Sequence, residues 1–149
     1  MKLNFKTYNF NTKSEQGNAL IFDIIRKKYV RLTPEEWVRQ HIIHFLVEDK
    51  MVPKGLIAVE KALDYNGLRK RFDVCVSDNT GKMQLLIECK APHIQLSQQT
   101  LMQAGIYQKV LNVKFVCISN GLQHIYISLP GLDVPPVLLQ DLPPYPEWI

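Results

Sequence analysis

Two periodicities divide the chain. In TPEEWVRQHIIHFLVEDK (33–50) the residues Val38, Ile42, Phe45 and Leu46 recur at three- and four-residue intervals, the spacing of one helix face. Thr33 suits the N-cap, Pro34 the first helical position and Glu36 the return half of a capping box. Beyond Gly55 the period shortens to two. GLIAVEKAL (55–63) and RKRFDVCVSD (69–78) read as strands joined by the turn DYNG. DNTGK then leads into a third strand in MQLLIECKAP (83–92), stopped by Pro92. LSQQTLMQAGIYQKVLN (96–112) predicts a second helix. VKFVCIS (113–119), the turn Asn120-Gly121 and LQHIYISL (122–129) predict two more strands.

The flanks are less regular. Residues 1–20 are mixed and polar and read as an N-terminal arm or an irregular strand, and IFDIIRKKYVRL (21–32) as a strand or strand pair. Most of the nine prolines lie in the tail 130–149, which argues against regular structure there, while its Leu, Tyr and Trp residues are expected to pack along the domain. One helix, three antiparallel strands, a helix and two strands imply an α/β fold, an α/β/α sandwich around a mixed central sheet. The 149 residues form a single domain (1–149) by length, with no internal repeat.

Composition narrows this picture little. Hydrophobic residues make up 46% and charged residues 21%, as in ordinary globular proteins. The net charge of +4 and pI near 9.0 permit nucleic-acid binding without requiring it. Cys75, Cys89 and Cys117 are odd in number, far apart and set in apolar runs, which predicts buried thiols in a reducing compartment. No apolar run approaches the about 20 residues of a membrane span, and the N-terminus lacks a continuous apolar signal segment. These points suggest a cytoplasmic protein with no membrane partner.

The candidate chemistry lies in LLIECKAP (85–92). Side chains alternate along a strand, so Leu85, Ile87 and Cys89 share one face, and Leu86, Glu88 and Lys90 the other. On the preceding strand Arg71, Asp73 and Cys75 point one way and Phe72, Val74 and Val76 the other. A hairpin closed by DNTGK brings Asp73 near Glu88 and Lys90 on one face. Two carboxylates so close need a positive partner. Mg2+ takes one or two carboxylates together with water and phosphate oxygens, and a lysine beside it positions the attacking water. Metal binding by Asp73 and Glu88, with Lys90 beside them, is thus the expectation. The alternative for these three residues is an ion pair at a strand end.

This arrangement resembles the PD-(D/E)XK nuclease superfamily, with Phe72-Asp73 for the first half of the motif and Glu88-Cys89-Lys90 for the second. Phe72 stands where the pattern has proline. Gln103 and Tyr107, four apart on the second helix, resemble the Q-x-x-x-Y element of the nuclease domain at the N-terminus of type I restriction enzyme R subunits. LTPEEWVRQHIIHFL resembles that domain's first helix, and GLIAVEKAL, ECKAP and ISNGLQH are also similar to it. The likeness spans roughly residues 25–130. It implies a restriction-endonuclease-like fold and Mg2+-dependent hydrolysis of DNA, with Mn2+ able to substitute. It also implies that Gln103 and Tyr107 support the site and touch the substrate, and that the first helix supplies an acid.

Glu35 is the preferred acid on the helical wheel, because Glu36 points away from the apolar stripe and is occupied in the capping box; Glu60 is a further candidate. Arg71, on the face of Asp73, and Arg69 are the candidate phosphate contacts. His41 and His44 are expected to be structural, and His93 an exposed loop residue. The chain contains no glycine-rich phosphate loop, so any motor or specificity subunit would act in trans. The competing function is a non-catalytic module with a nuclease fold that binds nucleic acid or docks a partner.

Overall fold

The computed structural model describes residues 1–65, 67–97, 112–131 and 133–149. Strands β1 (Thr12–Glu15), β2 (Asn18–Asp23) and β3 (Lys28–Arg31) form a three-stranded antiparallel sheet. The polar stretch before Ile21 is therefore not an arm throughout: β1 and the start of β2 pair there, turning at Gln16-Gly17, where both residues have positive φ. The basic-apolar segment that follows is a strand pair, as its composition suggested.

Helix α1 (Pro34–His44) comes next and ends in a single π-turn, Phe45–Asp49. Thr33 caps it, its hydroxyl oxygen accepting from the Glu36 amide at 3.0 Å. Val38, Ile42 and Leu46 are fully buried and Phe45 nearly so, which bears out the predicted stripe. The burial extends further round the helix, however, and includes Glu36, Arg39, Gln40, His41 and His44. The chain before β1 causes part of this. Phe5, Tyr8 and Phe10 lay their rings against His41, and Tyr8 and Phe10 against His44, so both histidines belong to an aromatic layer.

The second sheet is six-stranded, in the order β4 (Ile57–Tyr65), β5 (Leu68–Ser77), β6 (Met83–Cys89), β7 (Phe115–Ser119), β8 (His124–Ser128) and β9 (Val137–Leu139). Among the described residues only the β6–β7 pair is parallel, so the sheet is mixed and the fold α/β. A parallel pair needs a crossover connection. The predicted second helix would supply it, but residues 98–111 lie outside those described. β9 corrects the expectation of an irregular tail: Val137–Leu139 pairs with β8 beyond the prolines at 135 and 136. Among the described residues no helix is long and apolar enough to cross a membrane.

β6 and β7 are buried along almost their whole length, as expected of strands covered on both faces. Leu85, Ile87 and Cys89 join Phe115 and Cys117 in the apolar cluster that α1 closes. Leu86 joins Val116 and Ile118 in a second cluster on the other face. The tail completes the first cluster with Leu142, Tyr145 and Trp148, as anticipated. All three cysteines are buried free thiols. The Asn120-Gly121 turn sits against α1 and the chain start. Gly121 has φ +86°, and a Cβ there would come within 2.9 Å of the Leu3 methyl groups and 3.1 Å of Val38. Gly121→Ala is expected to destabilise the protein by about 1–2 kcal/mol through the left-handed backbone and this crowding. Urea unfolding monitored by circular dichroism measures the loss; an unchanged midpoint would contradict the packing described.

Candidate active site: carboxylates gathered on a buried arginine

The sheet is irregular at the point where the candidate residues meet. β4 pairs with β5 through Val59–Val74 and Lys61–Phe72, but Glu60 and Asp73 between them do not form a rung, and Glu60 has φ +54°. On the other side of β5 the ladder to β6 ends at Val74–Ile87. The next rung would set Asp73 opposite Glu88. Instead the Cys89 amide donates to Asp73 Oδ2 at 2.7 Å, so a side chain takes the place of a ladder bond. Freed from both ladders, Asp73 turns towards α1, where Arg39 Nη2 donates to its Oδ1 at 3.0 Å.

The strict alternation expected over residues 71–76 therefore breaks. Phe72 packs with Cys75 in the second cluster, while Val74 and Val76 face α1 together with Asp73. Glu88 follows the regular alternation of β6, and its carboxylate is ion-paired with Lys70, which lies over the Phe72 ring. Asp73 and Glu88 thus stand on adjacent strands just past the end of the β5–β6 ladder, Asp73 held by Arg39 and the Cys89 amide and Glu88 by Lys70. Lys90 is exposed just past β6, with its amide tied to the Ser119 carbonyl at 2.8 Å, and its charge acts on Glu35.

The two helix acids also depart from the helical wheel. Glu36 is the buried one, with a side chain 9% exposed, and Glu35 is 48% exposed. The Glu36 carboxylate does not close a capping box. It accepts from Arg26 at 3.0 Å, Arg39 at 2.8 Å and Gln40 at 3.0 Å. The β2–β3 turn covers that side of α1 and delivers Arg26, an element the wheel does not contain. Glu35 stays near the candidate residues. Burial raises its carboxyl above the ordinary range, and the Asp73 charge raises it further, against the pull of Arg39 and Lys90. Glu60 lies 3.6 Å from Arg39 and 3.7 Å from Arg26.

Arg39 is the residue that sequence reasoning passed over. It is 6% exposed and lies within ion-pair distance of Glu35, Glu36, Glu60 and Asp73. Burial works against its charge, but Glu36 and Asp73 more than offset this and raise its pKa. A signal was present: an arginine beside Val38 in the apolar stripe, three and four residues after two glutamates. Lys70, the partner of Glu88, had no such signal beyond its place in a basic run.

The structure thus brings Glu35, Glu60 and Asp73 around Arg39, with Lys90 near enough for its charge to act on Glu35 and Glu88 paired with Lys70. Arg71 and Arg69 are exposed on β5, two and four residues from Asp73 towards the hairpin turn. Gln103 and Tyr107 lie outside the described residues. A cavity of about 790 Å³ opens between β1, the start of α1 and Pro92-His93. It borders the segments that carry Glu35 and Lys90 without being lined by either. Among the described residues no group of three or more His, Cys, Asp or Glu side chains is placed to hold a metal ion. The donors themselves are hard carboxylate oxygens, the chemistry that suits Mg2+ or Mn2+, and the oxygens bonded by Arg39 and Cys89 each keep a second lone pair.

Residues 34–143 match the family of type I restriction enzyme R protein N termini. The chain belongs to this family. The match begins at the first residue of α1 and runs past β9, so it takes in every candidate site residue and leaves out the three-stranded sheet. Among solved structures, this R-protein N-terminal chain is similar to a fragment described as an HsdR subunit of a type I restriction enzyme from Vibrio vulnificus YJ016. The identity is 17% and the TM-score 0.44, covering 71% of this chain and 23% of that one. The chain therefore spans about a quarter of the length of that fragment. Among curated proteins there is no match.

The electrostatic link between Glu35 and Asp73 can be measured. Asp73→Asn is expected to lower the Glu35 pKa, read from the 13C shift of its side-chain carboxyl during titration; an unmoved Glu35 would refute the contact. The sign for stability follows. A carboxyl whose folded pKa is raised binds its proton more tightly in the folded state than in the unfolded chain. Its contribution is therefore full at low pH and is lost as pH rises through the folded value.

Proposed function

We propose that the protein is a metal-dependent deoxyribonuclease domain that hydrolyses phosphodiester bonds of double-stranded DNA. One observation carries this reading: Asp73 is held by the Cys89 amide at the end of β6, close enough to act on Glu35, where the ladders on both sides of β5 lapse. Membership of the R-protein N-terminal family supports it. In this proposal the fold is the restriction-endonuclease-like α/β/α sandwich.

Asp73 and Glu88 would hold Mg2+, or Mn2+ in its place, with Glu35 binding directly or through water. The bound cation supplies charge for the phosphate oxygens and lowers the pKa of a coordinated water. Lys90, exposed just past β6, orients the attacking water and offsets charge that develops on the phosphate. Arg71 and Arg69 bind backbone phosphates next to the scissile one. Gln103 and Tyr107 buttress the site and touch the substrate. Motor or specificity subunits would be supplied by partners, and the protein would work in the cytoplasm.

The other reading, a nucleic-acid-binding or docking module without catalysis, has one observation in its favour: Arg39 and Lys70 already neutralise Asp73 and Glu88. Plasmid cleavage in Mg2+ or Mn2+ separates the two. Asp73→Ala and Lys90→Ala are each expected to slow nicking by about 10²-fold or more, in line with the loss of a charged catalytic group. If pure wild type and both variants nick alike, the catalytic reading fails and the binding module stands.

A further inference from the structure

Arg39 has more to do than fill a buried position. Taken together, Glu35, Glu36, Glu60 and Asp73 bring four carboxylates to one place, and like charges so close cost more the less water surrounds them. A chain of contacts sets where Arg39 stands. Asp23, fully buried, accepts from Arg26 Nε at 2.6 Å and from Gln40 Nε2 at 3.0 Å. Arg26 also donates from Nη2 to both Glu36 oxygens at 3.0 Å. Glu36 in turn holds Arg39 Nη1 at 2.8 Å, and Arg39 Nη2 holds Asp73 Oδ1 at 3.0 Å. This chain starts in the three-stranded sheet, outside the segment that matches the family, and ends on Asp73.

We propose that Arg39 is the resident counter-cation and positioning residue of the Asp73 site, and that Arg26, from the β2–β3 turn, fixes Arg39 through Glu36. Before any metal arrives, Arg39 supplies the positive charge that lets the carboxylates fold together. Once a metal is bound, its planar fork keeps Asp73 in one orientation while the second lone pair of each oxygen stays open. The Asp73 carboxylate is thus gripped from both sides, by Arg39 and by the Cys89 amide. The price is mutual repulsion between Arg39 and the bound cation.

This proposal rests on reading Asp73 as a metal ligand, and its signature is a split of affinity from rate. Isothermal calorimetry with MnCl2 on the full chain measures affinity, and plasmid nicking at saturating Mn2+ measures rate. Arg39→Met keeps much of the aliphatic stem and removes the charge. It is expected to bind Mn2+ about threefold or more tightly, because a nearby positive charge is gone, and to nick about tenfold or more slowly, because Asp73 loses its orientation. A merely structural loss would weaken both. Arg39→Lys keeps the charge but not the fork, so near wild-type affinity with slower nicking is expected, and Arg26→Gln should do the same to a lesser degree.

Unchanged or weakened Mn2+ affinity in folded Arg39→Met overturns the counter-cation role. If Arg39→Met does not fold, wild-type affinity and wild-type rate in Arg39→Lys overturn the proposal instead. Unchanged nicking in Arg26→Gln overturns the role of Arg26. A wild type that takes up no Mn2+ refutes the metal reading itself. Thermal melting of the Arg39→Met and Asp73→Asn cycle in EDTA then decides the rest. A double variant that melts no lower than Arg39→Met supports the pairing, and one that melts clearly lower overturns it.

Discussion

Holding several carboxylates together in a partly dry place is the constraint on which this structure turns. Like charges at short range repel strongly where water is excluded. The fold meets that cost with cations placed on named elements: Arg39 on α1, Arg26 in the β2–β3 turn and Lys70 on β5. Each lies where its carboxylate partner is, so the charged residues form a sequence of pairs from Asp23 to Asp73. A buried ion pair is weak evidence for stability in itself, since both partners give up water. Its value here is geometric. It holds Asp73 against the end of β6 at the place where backbone pairing has lapsed.

The break in the sheet and the charge network depend on each other. Had β5 kept its ladder on both sides, Asp73 would have followed Phe72 and Val74 in regular alternation, away from α1. The unpaired Glu60–Asp73 rung and the left-handed Glu60 let Asp73 reach Arg39 and the Cys89 amide. Backbone strain of this kind persists where the surroundings over-determine it. Val59–Val74 and Lys61–Phe72 on either side, and the buried β6 and β7 next to them, supply that support.

The three-stranded sheet extends the family segment in a purposeful way. It contributes little to the apolar clusters, and most of β1 and β3 is exposed. Its turn nevertheless places Asp23 and Arg26 against α1 and covers Glu36. The first residues add the aromatic layer over His41 and His44. Helix α1 is consequently enclosed on several sides, which is why its polar residues are buried and why each of them has a partner to find.

Much of this was already present in the order of residues. The apolar stripe of α1, the Thr33 cap, the positions of β4 to β8, the Asn120-Gly121 turn and the packed Leu142, Tyr145 and Trp148 follow from local spacing, because helix and strand periodicities act within a few residues. The family was legible through the likeness of its motifs. Which way each carboxylate turns was not available at that range. Glu36 is buried because a turn ten residues earlier in the chain covers it, Asp73 leaves its expected face because a rung with β4 is missing, and Arg39 binds Asp73 across 34 positions. Charge pairing is long-ranged and indifferent to sequence separation. The partners of a charge are therefore settled only when distant segments have packed.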